Sequence, residues 1–154
     1  MSNNYINIYN TLIKLTRNKN LYNSLKGDTF YDRMIIFFFH LAFLLKEYKS
    51  TETKENLQKF FDFSIRQIEL SIREIGYGDA TINKKMKDYV NLLFAIIDKI
   101  DSWDLKSNNE KEEIFKNYID NLLNNSNYLK YFEKYRKYLR NNTLNSLSKD
   151  ILTL

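Results

Sequence analysis

The chain predicts an all-α fold, a single-domain bundle of about six or seven helices, and three observations carry that prediction. Apolar residues recur at three-to-four spacing along nearly every segment, and no convincing period-two run marks a strand. Among 154 residues there is no proline and there are only three glycines, so little in the chain breaks a helix. Apolar residues make up 44% of the chain, with 12 Tyr and 11 Phe, which argues for a packed core and against disorder. No internal repeat or long linker appears, so residues 1–154 read as one helical domain.

The first helix is expected over residues 4–17, with Tyr5, Tyr9, Leu12 and Ile13 inward. A polar break at Asn18 to Asn20 leads into a short turn ending at Gly27, a natural left-handed cap. Asp28 or Thr29 can cap the second helix, Thr29 with Asp32 has the spacing of a capping box, and the helix should run to about Tyr48. Its stretch from Met34 to Leu45, MIIFFFHLAFLL, is too short to cross a bilayer, which takes about 20 apolar residues; a buried central helix is the expectation.

A third helix follows the polar stretch STETKEN and should bury Leu57, Phe60, Phe61, Ile65, Ile68, Ile72 and Ile75 before Gly76 ends it. Asp79 or Thr81 can start the fourth, which carries Ile82, Met86, Tyr89, Val90, Leu93, Phe94, Ile97 and Ile100 towards Trp103. Ser107 and Glu110 form a further capping box before a fifth helix with Ile114, Phe115, Tyr118, Ile119 and Leu122. The NNSN stretch at 124–127 reads as a break before a sixth helix, and Thr143 can cap a short last one.

Several function classes are narrowed by what the chain holds. With no cysteine there is no disulfide framework, thiolate metal site or thiol nucleophile. The N-terminus has no basic region followed by an apolar core of secretory type, so a cytoplasmic protein is expected. A net charge of +5 favours an acidic partner, nucleic acid or an anionic membrane face, without choosing between them.

The most informative stretch is Arg73-Glu74-Ile75-Gly76-Tyr77-Gly78-Asp79. Two of the three glycines lie here, between two long helices and beside charged residues. They can be a helix cap plus a tight turn, or bare backbone that lets a partner approach closely. Asp79 suits a helix start and Arg73 a helix C-terminus, whereas Glu74 is poorly served by the dipole, so an ion pair or a partner contact is expected of it. Glu74 and Asp79 lack a partner nucleophile, so no enzyme is read from them. Lys84, Lys85 and Lys87 follow near the start of the fourth helix, where the dipole disfavours cations, and hint at an acidic partner.

His40 is the only histidine, seven residues and two turns after Arg33. In so apolar a helix it reads first as a hydrogen-bonded core residue, and a haem or metal role would need further ligands that the sequence does not show. Towards the C-terminus, Lys130, Lys134, Arg136, Lys137 and Arg140 interleave with Tyr128, Tyr131, Tyr135 and Tyr138. That pattern suits an RNA or membrane contact, and equally a helix with an aromatic core face and a solvated rim.

Taken in order, these features resemble the ubiquinol–cytochrome c chaperone family, in the form of a bacterial-type member. Arg33 followed by His40-Leu41 and Leu44-Leu45 is similar to the family's Arg…Leu-His helix. Gln58, Phe61-Asp62, the run Arg73 to Asp79, then Lys84 and Lys87, are similar to its Leu-Arg-Glu-Met/Ile-Gly-Val-Gly-Asp turn and basic helix start. The two blocks cover roughly residues 28–95, within a family-like core of about 28–103; residues 107–154 hold the aromatic and basic C-terminal helices. The chain departs from the pattern at Ile35, at Arg66 to Glu69 and at Ala95-Ile96.

The resemblance implies a non-enzymatic assembly chaperone that escorts newly made cytochrome b, or another membrane-protein client, without a cofactor or a small-molecule substrate. It also implies contact with the ribosome or a second assembly factor, and action peripheral to the cytoplasmic face of the inner membrane. The partner-binding set it points to is Arg33, His40, Arg73, Glu74, Gly76, Tyr77, Gly78, Asp79, Lys84 and Lys87. The surface from Arg73 to Lys87 is expected to join a groove with the helix of Arg33 and His40. Two other readings stand beside it: an RNA- or ribosome-binding module using the 128–140 helix, and a carrier of haem, quinone or lipid using Phe37 to Phe39.

Overall fold

A computed structural model of the chain describes residues 2–22, 29–119 and 125–149. Among these, six helices of eleven residues or more pack as one all-α bundle: α1 (Ser2–Thr16), α3 (Phe30–Tyr48), α4 (Lys54–Ile75), α5 (Asp79–Asp101), α6 (Asn108–Tyr118) and α7 (Asn125–Arg140). A single helical turn, α2 (Lys19–Tyr22), stands in the polar stretch after α1, and 3-10 turns follow at Trp103–Leu105 and Asn145–Ser148. The described residues contain no strand. The Gly27 and Asp28 cap positions and Leu122 lie outside the described residues.

α3 is the central element. From Met34 to Leu44 every residue is buried, and α1, α5 and α7 pack around it. A helix apolar on all sides is stable in water only when so enclosed. Thr29 caps it by accepting a hydrogen bond from the Asp32 N–H at 3.1 Å. α4 packs mainly on α5 and α1, α6 packs on α7, and the last 3-10 turn lies against α1. The Ser107–Glu110 capping box forms in full at the head of α6.

The core is largely aromatic. Phe43, Phe115 and Phe132 stack with centroids 5.3 Å apart, and Trp103 meets Phe43 and Phe115 edge-on at 5.1 and 5.4 Å. Such offset and edge-on pairs add to the area they bury.

Three expectations about packing and boundaries are corrected. Ile75 is 53% exposed because the end of α4 projects past its neighbours, and every residue from Arg73 to Ala80 is exposed. Phe94 is 54% exposed because it lies about 100° around the helix from buried Leu93. α7 begins at Asn125, so Asn125, Ser126 and Asn127 lie in its first turn rather than in a break, consistent with the preference of Asn and Ser for helix starts.

Candidate functional site

The Gly-Tyr-Gly-Asp junction is a closed turn between α4 and α5. Gly76 ends α4 in the left-handed region at φ +100°, its N–H bonded to the Arg73 carbonyl at 3.0 Å. Gly78, at φ −70° and ψ 160°, is the residue that caps α5, and Asp79 is the first helical residue rather than the cap. The Asp79 carboxylate instead accepts from Arg73 Nη1 at 2.8 Å, tying the end of one helix to the start of the next. A Cβ at either glycine would meet nothing within 4 Å, so neither is needed for close packing inside this chain.

Beside the turn, Lys85 Nζ sits 4.7 Å from the centre of the Tyr77 ring. Lys84 is the sixth residue of α5, beyond the first turn where the helix dipole acts, so these lysines are not placed against the dipole as the sequence suggests. Lys84 and Lys87 are exposed, and Glu74 is exposed with no ion pair among the described residues. The ion pair expected at Glu74 is therefore made by Asp79 and Glu69 instead, both on Arg73.

His40 does not belong to that surface. It is fully buried, and its Nδ1–H donates to the Ile36 carbonyl at 2.8 Å while Nε2 accepts from the Tyr131 hydroxyl at 2.6 Å. The Tyr135 hydroxyl donates to the His40 carbonyl at 2.8 Å, joining α3 to α7. Burial lowers the imidazole pKa to about 4, against a smaller raising effect of the Ile36 hydrogen bond, so the ring is neutral. The expected partner contact at His40 is corrected to a core role, while Arg33, one residue past buried Asp32, is exposed.

The C-terminal basic cluster divides in the same way. Tyr128, Tyr131 and Tyr135 are buried and Tyr138 is half-buried, so most of the aromatic face of α7 is core rather than a platform for stacking bases. Arg136 is 2% exposed, with Nε 2.8 Å from Glu47 and Nη2 2.9 Å from Asp104. Arg140 also binds Glu47, at 2.9 Å. Partial burial pushes the Asp104 carboxyl up, but hydrogen bonding and charge from Arg136 and Lys46 outweigh it and hold the group below its usual value. Arg136 is thus a structural cation and not a nucleic-acid contact; Lys130, Lys134 and Lys137 remain exposed. Phe37 to Phe39, the expected ligand-carrying region, are packed core residues.

An apolar concave feature lies elsewhere. An open groove of about 610 Å³ runs between the second half of α3, the first half of α4 and the second half of α5. Its apolar lining is Ala42, Leu45, Leu57, Phe61, Phe94 and Ile97, and Lys46, Lys49, Lys54 and Asp101 stand on it. Phe61 and Phe94 stack at 5.5 Å, which holds the exposed Phe94 ring in place. Phe61 and Ile75 are 14 residues apart on α4, so the groove and the glycine junction are separated by about 20 Å of helix. The groove is therefore built on α3 beyond His40, and the junction does not line it.

Sequence reasoning placed Phe61 and Phe94 in the core and passed over Lys49 and Lys54. The available signal was the doublets Phe60-Phe61 and Leu93-Phe94, since on a helix covered on one side only, neighbours about 100° apart are not equally enclosed. Among the described residues no group of three or more His, Cys, Asp or Glu is placed to hold a metal ion. Nor is any described helix long and apolar enough to cross a membrane.

A family model described as ubiquinol-cytochrome C chaperone matches residues 26–144. The match covers more than half of the chain and takes in α6 and α7 as well as the helices that form the groove. Comparison with curated proteins and with solved structures returned no match.

Proposed function

The chain belongs to the ubiquinol-cytochrome C chaperone family, and from that premise we propose that it escorts newly made cytochrome b during assembly of the respiratory bc complex. It works by binding rather than by catalysis, from the cytoplasmic side of the inner membrane. The observation that carries this reading is the open apolar groove between α3, α4 and α5, with Phe94 more than half exposed at its edge. A large exposed apolar surface rimmed by charge is the chemistry needed to shield a membrane segment that has not yet reached its place.

The glycine junction at the far end of the α4–α5 hairpin supplies a second contact. Tyr77 with its lysine neighbour, and Glu74 without an ion pair, are available there to a ribosome or a further assembly factor. The test is to delete the gene in a cell that respires through the bc complex and to measure assembled complex and cytochrome b. Assembled complex should fall sharply and return when the gene is restored. Unchanged levels of both would contradict the reading.

A further inference from the structure

The groove has a direction. Along α3 its lining passes from Ala42 and Leu45 to Lys46 and Lys49; along α4, read backwards, from Phe61 to Lys54; along α5 from Phe94 and Ile97 to Asp101. All three helices therefore turn from apolar to charged towards the same end. Lys46 is engaged there, donating to the Asp101 carbonyl at 3.0 Å and lying 3.6 Å from Asp104. Lys49 and Lys54 are exposed and make no ion pair among the described residues. Lys46, Lys49 and Lys54 outnumber the Asp101 carboxylate at this end, which is therefore net positive, while the other end offers the stacked Phe61 and Phe94 rings.

We infer that this groove takes a short amphipathic helix of the client that ends in acidic residues, its apolar face over Phe94 and its carboxylates at Lys49 and Lys54. The inference rests on the chaperone reading and adds the chemistry of the bound segment. From Ala42 to Lys49 the groove spans roughly 10 Å, about two turns of a docked helix. Because it is open along its length, an occupant needs a polar face of its own. An amphipathic helix has one, whereas a lipid chain would leave its methylenes in water.

Fluorescence anisotropy with three labelled peptides tests this. They share one amphipathic helical body, with Leu and Ala on one face and Gln on the other, and end in Glu-Glu, Gln-Gln or Lys-Lys. The full chain should bind the Glu-Glu peptide about ten-fold more tightly than the Lys-Lys peptide, with Gln-Gln between them. The double variant Lys49→Glu/Lys54→Glu should reverse that order, and Phe94→Ser should weaken all three. These side chains are exposed, and circular dichroism checks that each variant stays folded.

Equal affinities, or an order unchanged by the lysine substitutions, overturn the inference. So does a dimer of this chain that Phe94→Ser dissociates, which would make a second copy the occupant. Binding to phosphatidylglycerol vesicles that Phe94→Ser abolishes would make lipid the occupant and also overturns it. The two readings fail separately: gene deletion that lowers the bc complex while the peptides are not discriminated removes the acidic-ended helix and leaves the chaperone.

Discussion

His40 shows how much one residue's meaning depends on its neighbours. In sequence it stands out as the only histidine, seven residues after an arginine. In the fold it is a neutral, hydrogen-bonded link between α3 and α7, held by the Ile36 carbonyl and the Tyr131 hydroxyl. Its pKa falls from 6.5 to about 4 through burial, so the native state binds fewer protons than the unfolded state between those values. Stability is therefore fully present above pH 6.5 and declines as pH drops towards 4. The loss is roughly 3 kcal/mol over the whole window. The groups that face the ring, Tyr131 and Tyr135, are raised by burial and do not titrate there. Urea unfolding at pH 7.5 and pH 5 should show this slope above pH 5, where ordinary carboxylates stay ionised. A His40→Leu variant, though less stable overall, should have a flatter profile in that range; an equal slope would contradict the assignment.

At the scale of the elements, the two junction glycines separate into different roles. Gly76 has a positive φ and Gly78 does not, and both have open space where a side chain would stand. Gly76→Ala should cost about 1 kcal/mol from backbone strain alone. Gly78→Ser should gain a few tenths of a kcal/mol by adding a side-chain oxygen at the cap of α5. Denaturation midpoints measure both, and a large loss at Gly78 would show that the turn depends on more than its backbone. The helices themselves were legible because their apolar periodicity is local, as were the caps at Thr29, Ser107 and Gly76. What was not legible was long-range. Arg136 reads as a surface cation until Glu47, 89 residues away, is placed against it. The groove likewise needs three helices whose relative placement no local pattern encodes, and Phe94 looks like core until its place beside Leu93 turns it outward.

For the whole molecule, α3 is the buried axis on which the rest is organised, and α4 with α5 forms a hairpin whose two ends differ. One end carries the Gly-Tyr-Gly-Asp turn, wholly exposed; the other forms the apolar groove against α3. We propose that all 154 residues act as one domain in which the groove holds the client and the turn faces outward to a further partner. The most direct test places a photoreactive amino acid at position 94 or position 77 in the intact cell and identifies what each captures. Newly made cytochrome b should crosslink from position 94, and the Lys49→Glu/Lys54→Glu substitutions should reduce that product. Capture of cytochrome b from position 77 alone, or from neither position, would contradict the account.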